Sequence, residues 1–234
     1  MINLKVGDID CKIPSAWNEI TLADYSKIYG IIKANEFVEP KVENEFPSDD
    51  ETKALESQRA LHNVKTNRKV FAEMTGIDEQ TINRVDGNEM AETLLLMTNF
   101  LNGDVQRMEI KDGVANSFKY KGKEYFFPIA EMRDSTFGDF IEAAQLDMLA
   151  QQNEAGKFGV MAEQMAILCR EQGEDYDEKI VIKKTKLFQG LTMDVVWNFV
   201  FFLKKQISLF KTNIPTSLKM VNEMTTDTRQ NILK

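Results

Sequence analysis

Three side chains hold whatever imidazole or thiol chemistry this chain possesses: His62, its sole histidine, and the cysteines Cys11 and Cys169. A serine or cysteine nucleophile activated by imidazole would have to use His62 as its base, and neither cysteine stands in a recognisable nucleophile context. A zinc site built from His and Cys alone would fall one ligand short of four. His62 lies inside a helical stretch, where a lone histidine is expected at the surface or boundary. The cysteines are far apart in sequence, and reduced thiols in a reducing compartment are the expectation.

The run Glu174-Asp175-Tyr176-Asp177-Glu178 offers oxygen ligands but lacks the alternating spacing and mid-loop glycine of a calcium loop, with Gly173 lying before the acids. It is expected to be a solvated lead into a helix. Gly156 and Gly159 flank Lys157-Phe158 without forming a phosphate-cradling loop. No catalytic, metal-binding or cofactor-binding residue is expected, and an enzyme working through carboxylates alone is kept as an alternative.

The most conspicuous carboxylates belong to an echo. Thr21-Leu22-Ala23-Asp24-Tyr25 returns as Thr136-Phe137-Gly138-Asp139-Phe140, and Leu191-Thr192-Met193-Asp194 is a looser third copy. A threonine at the N-cap accepts from a backbone amide, an acid at the third helical position reaches back, and both suit the positive end of the helix dipole. Three helix starts are predicted. Asp24 and Asp139 are assigned to capping and not to a paired carboxylate site.

Between these starts the periodicities predict an α+β chain, predominantly helical. Ile2, Leu4, Val6, Ile9, Cys11 and Ile13 alternate around Gly7-Asp8, predicting a short N-terminal hairpin. Helices are predicted over 21–33, 53–75, 78–84, 88–102, 136–152, 158–171, 178–188 and 193–210. Gly103 is expected to close the fourth, whose apolar residues cover more than one face and mark it as central. Residues 105–129 change period and hold two turn signals, Lys111-Asp112-Gly113 and Lys121-Gly122, predicting a three-stranded antiparallel meander. Residues 35–51 are acidic, contain two prolines and lack periodicity, so an exposed loop is expected. The organisation predicted is one α-rich domain over 1–211 and a polar tail over 212–234.

Charge narrows the partners. The net charge is −8 and the pI about 4.9, and the densest basic run is only Lys183-Lys184-Thr185-Lys186. That opposes direct nucleic-acid binding, which needs clustered cations. The opening residues lack the apolar core of a signal peptide. The most apolar run, 195–203, holds nine residues and includes Asn198, whereas a membrane span needs about 20. What remains is association. Trp197, Phe199, Phe201 and Phe202 form an aromatic band on the last helix, and a helix apolar around most of its circumference must be covered on several sides. These four, with Phe37 and Phe46 in the acidic segment, are the candidate partner-binding residues.

The order of features carries a resemblance: Trp17-Asn18-Glu19-Ile20-Thr21-Leu22-Ala23-Asp24-Tyr25, then Met74-Thr75-Gly76-Ile77, a strand pair around Tyr120 to Phe127, the second Thr-Phe-Gly-Asp-Phe start, Tyr176-Asp177-Glu178 and an aromatic C-terminal helix. Over roughly residues 14 to 210 this resembles small helical virion and assembly proteins of tailed bacteriophages, particularly the crAss-like group infecting gut Bacteroides. The resemblance implies a non-enzymatic protein made in the host cytoplasm and held in the virion, as internal cargo of the capsid or tail, with other virion proteins or copies of itself as partners. A tail-assembly chaperone not retained in the particle is the alternative. The motifs are folding signals, so the resemblance transfers no site residues.

Overall fold

The computed structural model describes residues 1–40, 48–108, 117–128 and 137–204. Eight α-helices and two antiparallel two-stranded sheets lie among them, so the chain is a predominantly α-helical α+β protein. Phe46, Thr136 and the 212–234 tail lie outside the described residues.

β1 (Ile2–Val6) and β2 (Ile9–Ile13) form the expected hairpin, with Ile2 opposite Ile13 and Val6 opposite Ile9. Alternation places Val6, Cys11 and Ile13 inward, where they join Ile28, Val70, Phe71, Ile82, Met90, Leu94 and Met97 in one apolar cluster. That cluster joins the hairpin to α1 (Leu22–Ala34), α2 (Asp49–Thr75), α3 (Glu79–Ile82) and α4 (Gly87–Met108).

α2 starts four residues earlier than its apolar periodicity indicates. Ser48 accepts from the Glu51 amide while the Glu51 carboxylate accepts from the Ser48 amide and hydroxyl, a complete capping box that extends the helix into the acidic segment. Gly76 ends α2 in the left-handed region (φ 73°), a conformation that favours glycine. α4 runs past Gly103 to Met108, because an interior glycine weakens a helix by about 1 kcal/mol without breaking its hydrogen bonds.

That extension alters the predicted meander. Residues 105–108 are helical, and among the described residues the sheet consists of β3 (Ser117–Tyr120) and β4 (Lys123–Phe126), joined by Lys121-Gly122 with both residues at positive φ. The turn signal at 111–113 falls outside the described residues. On its open side Phe126 exchanges backbone hydrogen bonds with Arg170, at 2.8 and 3.2 Å, so a distant loop residue continues the sheet.

The second, larger cluster gathers β3, β4, α5 (Phe137–Gln152), α6 (Gly156–Leu168), α7 (Glu178–Phe188) and α8, described over 193–204. The most enclosed helix here is α6, ten of whose thirteen residues are buried. α4 is not the central helix its leucines suggest: Met90, Leu94 and Met97 point inward, whereas Leu95 and Leu96 are exposed. α1 serves both clusters through Leu22 and Tyr25 on one side and Ile28 on the other.

Two of the echoed starts meet. Thr21 caps α1, accepting from the Asp24 amide at 3.2 Å and donating to the Asp24 carboxylate at 2.6 Å. Thr21 and Thr192 form an antiparallel bridge, with the Leu22 amide donating to the Leu191 carbonyl (2.7 Å) and the Met193 amide to the Ile20 carbonyl (2.9 Å). The N-termini of α1 and α8 are thereby held side by side.

Candidate functional site

The candidate aromatic residues fall in separate places. Trp197 packs against Trp17 (5.7 Å between ring centroids), Tyr25 (5.9 Å) and Phe158 (5.3 Å), mostly edge to face. Phe199 and Phe202 close on Phe127 at 5.6 and 5.3 Å. All three are buried within the chain itself. Phe201 is partly exposed: it lies against Trp197 at 6.1 Å, with the Lys204 ammonium over its ring. Lys157 spans the rings of Phe158 and Trp197, and burial together with nearby Lys204 lowers its pKa. Of this band, Phe201 with its flanking lysines is the part that reaches solvent.

Phe37 is elsewhere. Its ring meets His62 edge to face at 5.3 Å and receives the Arg59 guanidinium at 5.9 Å, while Glu39 pairs with Arg59. The Asn35 carbonyl meets His62 Nε2, and Lys69 donates to the Asn35 side chain at 2.7 Å. Residues 35–39 therefore lie along one side of α2. His62 is a half-buried element of this contact.

The rest of α2 is bare. From Asp49 to Lys65 only Leu55 and His62 are even partly covered, and Leu61 and Val64 are 57% and 54% exposed. Apart from the contact of Arg59 and His62 with residues 35–39, the helix joins the body from Thr66 onward, through Thr66, Val70 and Phe71. A solitary helix of this length is marginal in water even with good formers, so its capping box and side-chain pairs are its local support. Between α1, α2 and α4 lies a cleft of about 440 Å³ lined by Tyr29, Phe37, Asn63, Thr66, Asn67 and Asn102 among others. Its Asn67 amide donates to Thr98 at 3.2 Å.

A third region, invisible to motif reading, is a polar network around the α6–α7 loop, buried at Asp139 and Lys184 and exposed at Tyr176. Asp139, 1% exposed at its side chain, pairs with Arg170 at 2.7 Å, and the guanidinium also faces the Tyr176 ring at 5.8 Å. Tyr176 donates to Glu142, at 2.7 and 2.9 Å from the two carboxylate oxygens; that bond and burial push its phenol up to about 12. Lys184 is buried and donates at 2.7 Å to both the Cys169 carbonyl and Glu174. Asp139 is therefore more than a capping residue: the second echo uses its acid to hold Arg170, whereas Asp24 in the first is exposed. Lys184 had a signal, since it shares the stripe of Val181 and Phe188 on α7. Arg170 had none.

Chemically this network is a staple. Its carboxylates face cations or a phenol, and burial drives the Cys169 thiol well above its ordinary range, against thiolate chemistry. Among the described residues no three His, Cys, Asp or Glu side chains converge where a metal could sit, and no helix is long and apolar enough to cross a membrane. Comparison of the chain with protein-family models, curated proteins and solved structures gives no match.

Proposed function

We propose that this chain is a non-enzymatic protein of tailed-phage particles, made in the host cytoplasm and held in the capsid or tail as internal cargo. It acts by associating with other virion proteins or with copies of itself. The observation that carries the association reading is the bare stretch of α2. An exposed helical arm bearing Leu61 and Val64 is costly to maintain alone and gains from a partner. The particle itself is supported by the resemblance in feature order described above. Both cysteines are free thiols, so no disulfide would oppose unfolding through a narrow tail.

Mass spectrometry of purified particles tests the reading. Peptides of this chain should co-purify with the major virion proteins through a density gradient. Their presence in infected-cell lysate but not in particles would replace the cargo reading with an assembly factor.

A further inference from the structure

We infer that the bare arm of α2 is a self-association surface, on which a second copy of the chain packs its own α2 antiparallel. This rests on the reading of the chain as an association protein and names the partner. On the exposed arm Ala54, Ser57, Leu61 and Val64 follow the 3-4-3 spacing of a coiled-coil seam, and all four are exposed. The seam runs from small residues at its start to large ones at its end. A parallel pair would set small against small and leave a gap. An antiparallel pair with its two-fold axis between Ser57 and Leu61 sets Ala54 against the second copy's Val64, and Ser57 against its Leu61, filling every layer.

Charge follows the same axis. In that register Lys65 flanks the seam opposite the second copy's Glu51, and the two-fold axis repeats the pair. The Glu51 carboxylate is free to take a second partner through Oε1, since its box with Ser48 uses Oε2. In a parallel pair these residues lie at opposite ends of the arm.

Over 54–64 the seam is clear of its own chain, since His62 and Arg59, which carry Phe37, lie on another side of the helix, as do Thr66 and Val70. The same line is closed beyond Lys65, where Arg68 pairs with Glu79 and Asn83 and Phe71 is buried in the core, so the seam ends there. Four turns of helix span about 22 Å, so the paired arms bury less than the roughly 1,200 Å² at which standard interfaces begin. The dimer is accordingly weak and concentration-dependent.

Sedimentation equilibrium on the full chain, from low micromolar to the highest soluble concentration, tests this. The wild type should pass reversibly from monomer to dimer. Leu61→Asp and Val64→Asp should remain monomeric, with helix content and the melting curve of the dilute protein unchanged. Lys65→Glu should weaken the dimer about tenfold, because the two-fold axis counts the pair twice. Glu51→Lys should weaken it at least as much, because it also removes the Glu51 half of the capping box, so the double variant should recover the charge part of the loss and not the cap. A wild type monomeric throughout, or a dimer indifferent to Leu61→Asp and Val64→Asp, overturns the inference. A dimer lost with those variants but blind to the charge reversals overturns the antiparallel register. Particles that contain a strictly monomeric protein would refute the pairing alone, whereas a dimeric protein absent from particles would refute the particle reading alone.

Discussion

Removing Arg170 should cost this protein far more than an exposed ion pair would. The Asp139 carboxylate is 1% exposed and Arg170 is 21% exposed, at a separation of 2.7 Å. The pair is therefore asymmetric: the cation retains some water and the anion almost none. Arg170→Ala keeps the backbone exchange with Phe126 but takes away the cation paired with a buried carboxylate, a change that costs about 3–5 kcal/mol. Asp139→Asn keeps the shape and leaves the cation, which can hydrate and still faces the Tyr176 ring, so the loss is one charge-assisted hydrogen bond, about 1.5–3 kcal/mol. Were Asp139 only a first-turn acid on the helix dipole, the loss would be about 0.3–1 kcal/mol. Urea titration of the two single variants and the double separates these cases. The double variant should be less destabilised than the sum, since it leaves no charge stranded. In a thermal melt, Arg170→Ala should lower Tm by roughly 6–20 °C, taking about 2–4 °C per kcal/mol for a chain of this size. Losses below about 1 kcal/mol for both singles, adding without coupling, would refute the buried pair and return Asp139 to a capping role.

Four further outcomes are expected. Phe199→Ala, at a fully buried ring against Phe127, should cost about 3–5 kcal/mol in chemical denaturation, and Phe201→Ala clearly less because its ring is partly in water. Ser48→Ala should lower stability by about 1 kcal/mol or less and fray the start of α2, seen as faster amide exchange confined to the residues after Asp49. Cys11 and Cys169 are both buried and both held above the ordinary thiol range by that burial, so a thiol reagent should titrate neither in the native protein and both in denaturant. Tyr176, raised to about 12 by its bond to Glu142 and by burial, stabilises the fold below the free phenol's value near 10, and that contribution disappears as pH climbs from 10 toward 12. The stability gap between wild type and Tyr176→Phe should narrow across that window, followed by denaturation at fixed pH.

Elements whose causes are local were legible in the residue order. The hairpin follows from alternation about Gly7-Asp8, α1 from its Thr21 cap, and α7 from Asp177 before an apolar stripe. The start of α2 was local too, in Ser48 and Glu51, yet the acidic and proline-rich composition around it masked the box. The identity of a turn signal does not reveal what lies across the strand, so Arg170 took a place at the sheet edge that no nearby residue announces. The echoed motif makes the same point most sharply. Its five positions specify a helix start in either copy, but whether the acid faces water or a guanidinium depends on what the fold brings to it. For Asp24 that is solvent, and for Asp139 it is Arg170, from the far end of α6. The apolar circumference of α8 likewise demanded cover without naming the source. Trp17, Phe127 and Phe158, from three distant segments, supply it, because burial is a property of neighbours in space and not of spacing along the chain.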